Sequence, residues 1–535
     1  MKSYINKFTL GLALFFVSSF HSYAQEQELN FDKVEVIKDL NVEIGNFNKV
    51  NIDPVLPVYD IKSRTYNYNI LTTPAKLEYE KPQIRPLALK PENSLEKNKY
   101  FFKVGYGMPK MLNLGVSAGY EKKSFTGNFY LNHLSSDNSA KIKDQINSQS
   151  ELGLKLKLNN EIRKQIYILN TKVQNDYYYL FSDANIDSLS NDAKRRFLYA
   201  DIGLSIEMKE LGVKWKNNAE FGFKTFQYNA GDIRENSFDI HNTCTYKISE
   251  SSDINIPLNF EYTSEINNII FGLKPHFAYR TRIINLKAGL QADFSQDNSL
   301  FTPYIDLSAS LFHNFIELFA NYGGELYNNT MYFQSKTNPF LSFENIDAKS
   351  TRFNTIEGGI RNSLEGAKIE LKAGYQKFEN LLFFALNPSD LRTFNSSFVN
   401  GNNFILSAKI IYEPLSKFKI GAKVEKNSYK LEALPIAPFV PDFSANVFTD
   451  IRLLRDKIIV GGEVYFGSAP WFLDLTGNKQ KLDPLLDLNG RVKFVIAKRS
   501  GFFVNINNIF AQKYQRWYKY PNHGLNLLVG LEIRF

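Results

Sequence analysis

The sequence predicts an all-β fold, a transmembrane antiparallel barrel of about 22 strands. Three observations predict it: the pattern of the last twelve residues, the repetition of that pattern along the chain, and an unusual composition. In the terminal segment GLNLLVGLEIRF, Leu525, Leu527, Val529, Leu531, Ile533 and Phe535 fall on one face of an extended strand. Gly524, Asn526, Leu528, Gly530, Glu532 and Arg534 fall on the other. Side chains alternate across a strand, so one face suits an apolar medium and the other tolerates charge and water. As the edge of a soluble sheet such a strand would aggregate. In a closed barrel it pairs with the first strand and the edge disappears.

From Lys99 onward the same alternation recurs. Leu152/Leu154/Leu156/Leu158, Ile369/Leu371/Ala373/Tyr375 and Phe418/Ile420/Ala422/Val424 are apolar rows, each opposed by polar residues or glycine. Leu486/Leu488 leading to Val492/Phe494/Ile496 repeats them. The connections alternate in length. Tight polar turns are expected near Glu121–Ser124, Lys209–Gly212, Leu364–Ala367, Leu454–Lys457 and Lys498–Gly501. Longer segments are expected near 135–147, 181–194, 327–350, 382–397, 468–484 and 510–523, as for periplasmic turns and extracellular loops. The hairpins within 250–326 can be merged or split on the pattern alone. A secreted two-sheet protein or propeller would show blade motifs at a fixed period, and none recurs.

Composition agrees. Aromatics reach 15%, with 45 Phe and 30 Tyr against 3 Trp, and mean hydropathy is −0.30. A helical membrane protein would be far more apolar, whereas only alternate barrel residues meet lipid. The net charge of +9 is not gathered in blocks. Lys155/Lys157 and Lys368/Glu370/Lys372 interleave along strands, which reads as a solvated lumen of mixed sign rather than a nucleic-acid surface. The lone Cys244 cannot form an internal disulfide and reads as a small lumen- or wall-facing side chain.

The N-terminus reads as a secretory signal, residues 1–24. Lys2 and Lys7 form a positive region, Phe8 to Phe20 a short apolar run, and Ser22-Tyr23-Ala24 the cleavage site. Mature protein is expected to start near Gln25, in the outer membrane of a Gram-negative bacterium. Residues 25–98 form a second unit, punctuated by prolines 54, 57, 74, 82, 86 and 91, with a short strand expected at Val34–Ile37. This periplasmic segment is read as a free tail, an occluder folded into the pore, or a strap docking a periplasmic or outer-membrane protein. Residues 99–535 form the barrel, with outer-membrane lipid as its surroundings.

The last two strands and their loop carry Val504-Asn-Ile-Asn-Asn-Ile-Phe510, Lys513-Tyr514 and Tyr520-Pro521-Asn-His-Gly524 before the final strand to Phe535. This resembles the C-terminal end of TonB-dependent receptors, which carry an N-[LI]-F element, a K-x-Y-like step and a Y-P…G segment. The family often has Gly-Arg where Leu525 here follows Gly524. The resemblance implies a 22-stranded barrel and uptake of a ligand. It also implies a glycine-rich N-terminal plug, which residues 25–98 do not match. Lys33-Val-Glu-Val-Ile-Lys38 faintly resembles a TonB box, which would imply contact with TonB.

No residue is assigned as catalytic, cofactor-binding or metal-binding, no cofactor is implied, and substrate-binding residues stay unassigned. His21, His133, His241, His276, His313 and His523 lie outside any zinc spacing, and no G-x-S-x-G elbow occurs. The expected protein is therefore not an enzyme. Trp471 and Trp517 fall in two long outer loops, either as exposed stacking platforms or, the favoured reading, as part of the interfacial aromatic belt. Tyr177-Tyr178-Tyr179 is read as belt too. The functional expectation is a gated conduit or receptor for a polar solute. The alternative is a structural subunit of an outer-membrane assembly.

Overall fold

The computed structural model describes residues 99–535 except 143–144, 181–192, 209–213, 230–231, 266–267, 313–314, 345, 365 and 498. The signal, the segment 25–98 with its expected strand, and Lys33–Lys38 lie outside the described residues. So does the whole turn at 209–212.

Twenty-two antiparallel staves close into a barrel. Each stave pairs with its sequence neighbours, from Tyr100–Met108, Met111–Lys122 and Phe125–Asp137 through to Leu485–Ala497, Ser500–Asn507 and Asn526–Arg534. The tenth stave is split into Asn268–Leu273 and His276–Arg280, and both halves pair with the same two neighbours. Pro275 has no N–H for the ladder, and its carbonyl accepts instead from Leu290 N at 3.1 Å. That break explains why the hairpins of 250–326 could not be delimited by alternation: this region holds the five staves from Ser252–Thr263 to Ile316–Asn328.

Closure is made by the two ends. Phe101 pairs with Arg534, Gly105 with Gly530 and Met108 with Leu527, and Tyr100 and Phe535 exchange backbone bonds of 3.2 and 2.9 Å. The apolar rows face outward, as their exposure shows: Leu152 42%, Leu371 51%, Leu531 48% and Phe535 55%. The opposite rows face the lumen and pair their charges across strands. Lys172–Asp201 (3.4 Å), Lys224–Asp239 (3.0 Å), Lys287–Asp306 (2.7 Å) and Lys372–Glu357 (2.9 Å) run round the wall. Cys244 lies on the outward row, opposite Asn217 and Ile256, rather than in the lumen.

Both barrel ends meet at one rim, which carries the short turns and by that asymmetry faces the periplasm. The turns 123–124, 365–366, 454–457 and 498–499 fall where alternation places them. The outer connections are unequal. Those at 109–110, 229–232, 264–267 and 295–298 are short, whereas 329–349, 432–442, 468–484 and 508–525 are long. The expected loop 382–397 shrinks to 387–393 because its flanking staves run on to Leu386 and from Phe394.

At the seam the inward row carries paired glycines, and the ring of Phe503 lies across them. A Cβ on Gly530 would stand 2.2 Å from the carbonyl oxygen of Val104 and 2.4 Å from the Phe503 ring. The first and last staves could accept it only by parting. Gly530→Val is therefore expected to cut the yield of assembled barrel sharply, read as loss of the heat-modifiable band on unboiled gels. Gly462→Ala, whose nearest neighbour would be 3.6 Å away, should assemble normally.

Candidate functional site: the mouth of the barrel

The connection 329–349 leaves between the thirteenth and fourteenth staves and turns inward. Its base is held by side-chain amides and hydroxyls with little access to water. Asn268 Nδ2 donates to Asn328 Oδ1 (3.2 Å) and Ser350 Oγ (2.7 Å), and Asn328 Nδ2 to Thr263 Oγ1 (3.2 Å). Asn329 Nδ2 donates to Thr351 Oγ1 and to the carbonyl of Lys349, both at 2.7 Å. Buried amides of this kind must be satisfied, and here they fix where the loop enters the lumen.

Beyond the base, Thr330 caps a short helix α1 (Met331–Thr337), its hydroxyl accepting from Phe333 N at 3.1 Å. The first free amides of the helix, Met331 N and Tyr332 N, donate to Glu235 Oε2 (2.7 Å) and Oε1 (3.0 Å). Glu235 is 2% exposed and projects from the inward row of the eighth stave. A carboxylate at a helix N-terminus is favoured both by its hydrogen bonds and by the exposed ends of the peptide dipoles.

Further contacts reach the fifth and sixth staves. Tyr332 Oη donates to Asp201 Oδ2 (2.9 Å), and Ser335 Oγ lies 3.1 Å from Tyr199 Oη. Lys336 Nζ donates to Gln174 Oε1 (2.7 Å) and sits 4.3 Å above the Tyr199 ring. Burial lowers the Lys336 pKa from its ordinary value. Since these partners lie on inward rows several staves from the loop's root, the loop spans a chord of the lumen.

Past the helix the loop joins an aromatic core built from the other outer connections. Phe340 stacks on Tyr520 with centroids 3.5 Å apart. Leu341 lies beside Phe394, with Ser342 N donating to the carbonyl of Phe394 (2.7 Å) and Phe394 N to that of Phe340 (3.0 Å). Arg195, from the sixth stave, donates to the carbonyl of Leu341. Leu180, Phe384, Phe394, Phe439, Phe472 and Trp517 complete this core. A second cluster of Phe197, Tyr199, Phe226 and Met331 lines the wall, and Phe343 and Ile346 pack against both.

Trp517 is 8% exposed and packs at 5.3–5.4 Å on Phe384, Phe394 and Phe439. The belt reading of this residue is thus corrected: the outer loops build a core of their own and it belongs there. Trp471 sits in the small hairpin pairing Trp471–Leu473 with Lys479–Lys481, with Lys481 Nζ 5.0 Å from its ring. The belt tryptophan is Trp215, 50% exposed at the periplasmic rim beside Tyr246. Tyr177 points outward, whereas Tyr178 points inward against Phe197 and Phe340. The sequence marks 327–350 as a candidate in-folded occluder of the lumen, whereas it does not single out Glu235. The signal was the length of 327–350 together with Asn328-Asn329-Thr330 before Met331.

Among the described residues the histidines do not gather. His133 faces outward against Ser150 (2.8 Å), His241 lies in the lumen beside Asn259 (3.0 Å), and His276 bonds the carbonyl of Lys274 (3.0 Å). His313 lies outside the described residues. His523 docks the loop 508–525 on the third and fourth staves, with Nε2 3.3 Å from Ser136 Oγ and 3.4 Å from Asn147 Nδ2.

No protein-family model and no curated protein matches the chain by sequence. Solved structures match by fold. The FrpB iron transporter from Neisseria meningitidis has a TM-score of 0.65 at 12% identity, with 82% of each chain covered. The pyoverdine outer membrane receptor FpvA from Pseudomonas aeruginosa PAO1 has a TM-score of 0.61 at 12% identity, over 82% of this chain and 78% of that one. The copper transporter OprC has a TM-score of 0.61 at 9% identity, over 82% and 80%. These are transporters and receptors rather than enzymes.

Two measurements probe the mouth. Glu235→Ala leaves Met331 N and Tyr332 N without acceptors, at a cost of about 1–3 kcal/mol to the local fold. Exchange of those two amides should accelerate by roughly tenfold or more while the barrel stays intact. Burial lowers the His523 pKa from its ordinary value. The undocked loop therefore binds more protons than the docked one, and docking weakens as pH falls below about 6.5. The amides of Tyr520 and of Asn522 to Gly524, corrected for intrinsic rate, should lose protection in that direction only.

The pattern of staves, the closing strand and the neighbours agree: in fold, the chain is a closed 22-stranded antiparallel barrel similar to those of outer-membrane transporters and receptors.

Proposed function

We propose that the protein is a gated conduit for uptake of a polar solute across the outer membrane. The observation that carries this reading is the loop 329–349, tied across a charge-lined lumen by Glu235, Asp201 and Gln174. A barrel of this girth leaves a lumen wide enough to need plugging. A loop held to the opposite wall by a few polar contacts narrows it without sealing it permanently. The paired lysines and carboxylates of the wall favour a hydrated, polar passenger over an apolar one. Residues 25–98 are the remaining candidate occluder and the place where a periplasmic partner, TonB included, would engage. The outer-membrane transporters and receptors of similar fold support uptake as the class of activity.

Single-channel conductance of the refolded chain in planar bilayers tests the reading. Small or absent conductance is expected from the full chain. A severalfold increase is expected when 331–346 is replaced by a short Gly/Ser linker, and a further increase when 25–98 is also removed. Closed behaviour in all three forms, with assembly verified on unboiled gels, would favour the scaffold alternative instead.

A further inference from the structure

We infer that the periplasmic end of the lumen, over the eleventh to sixteenth staves, binds a small dianionic oxyanion, a phosphomonoester or a dicarboxylate. As a station on the passenger's path the site rests on the conduit reading; as a binding site it does not. A cleft of about 580 Å³ opens there, and Arg282, Arg361, Lys368 and Lys409 line it with Glu317 and Glu370. Outward exposure of Ile360 (44%), Leu371 (51%) and Ile410 (43%) puts the alternate residues Arg361, Glu370 and Lys409 on the lumen side. Lys368, two positions before Glu370, shares that side. Arg282 comes from the turn 281–283. Four cations thus meet two carboxylates, an excess of two positive charges.

Both carboxylates are already taken. Arg361 Nε donates to Glu370 Oε2 at 2.7 Å, and Arg361 Nη1 lies 3.5 Å from Glu317 Oε1. Among the described residues no carboxylate forms an ion pair with Arg282, Lys368 or Lys409. Register makes the lack sharpest at Lys409. Its cross-strand neighbours are Glu370, held by Arg361, and Lys423, held by Glu425 at 2.8 Å. Two lysines directly opposite each other repel and cost stability. Elsewhere the wall avoids that cost, with Asp201 opposite Lys172 and Asp306 opposite Lys287. Here the missing counter-charge is left for a ligand to supply. Arg282 brings a planar guanidinium that matches two oxyanion oxygens at once, and Lys368 and Lys409 bring mobile point charges. Asn285 and Ser310 add neutral donors to the lining. A phosphomonoester carries nearly two negative charges at neutral pH and a dicarboxylate carries two. Either balances the excess without drawing Arg361 from its glutamates.

The test reads equilibrium binding and needs no transport. The full chain in deuterated neutral detergent, at low salt and about pH 8, where the phosphate is a dianion, is titrated with three probes. These are glycerol 3-phosphate, succinate and the monoanion lactate, and binding is read by saturation-transfer NMR. At least one dianion should bind severalfold tighter than lactate, and the tighter of the two separates phosphate from dicarboxylate. Combining Arg282→Gln, Lys368→Gln and Lys409→Gln should weaken that binding about tenfold or more. Combining Lys155→Gln, Lys157→Gln and Lys216→Gln, an equal charge change on inward rows of the fourth and seventh staves, should leave it within about twofold. Glu370→Gln raises the excess and releases Arg361, so it should tighten binding severalfold, a gain that no assembly defect produces. Equal weakening in both neutralised triples, lactate binding as well as either dianion, or no gain from Glu370→Gln would overturn the site. Conductance keeps the two readings apart. Dianion binding in a chain that never conducts sinks the conduit and leaves the site standing, whereas a conducting chain that binds neither dianion does the reverse.

Discussion

Everything in this protein depends on the hydrogen-bond ladder between its first and last staves. Within a bilayer no water is available to an unpaired backbone amide, so a sheet that spans it must have no edge. The pairing of Phe101–Met108 with Leu527–Arg534 removes the two edges at once. It is made possible by glycine facing glycine at 105 and 530, and covered on the lumen side by Phe503. Once the ring is closed, every stave inherits two faces with different solvents. The alternation seen in Leu525–Phe535 is that boundary condition written into one strand, and the terminal Phe535 is bonded to Tyr100 rather than left as a loose end.

The lumen obeys a second constraint. Charges withdrawn from lipid are placed where water and opposite charges surround them, so Lys172, Lys224, Lys287 and Lys372 find carboxylates across the strand. The inward loop uses the same wall. A helix of one or two turns has no stability of its own. Helix α1 persists because Thr330 and Glu235 satisfy its N-terminus and because Tyr332, Ser335 and Lys336 are tied to the wall. The outer loops solve the related problem of exposed apolar side chains by packing Phe394, Phe439, Phe472 and Trp517 on one another. The unequal outer connections put this core toward one side of the mouth, over the staves with long loops.

The fold was legible because membrane insertion imposes a strict period. Rows such as Leu152–Leu158 and Ile369–Tyr375 proved to face outward from the barrel, and the tight turns at Leu364–Ala367 and Leu454–Lys457 fell where the rows end. Legibility failed where local chemistry broke the period. Pro275 split one stave, and the staves flanking 387–393 ran further than their polar residues suggested. The mouth was scarcely legible. Trp517 looked like a belt residue because its loop is rich in aromatics and charge, yet its partners Phe384, Phe394 and Phe439 come from around two other connections.

By itself, then, the sequence determined the medium, the two faces of each stave and the direction of closure. These follow from solvation, which acts on each residue through its position in a period of two. Only the tertiary structure decided that the loop 329–349 turns into the lumen, that Glu235 meets its helix, and that Arg195 reaches Leu341. Those contacts join residues about a hundred or more positions apart. They depend on how the barrel's curvature carries one stave across from another, and no local pattern records that.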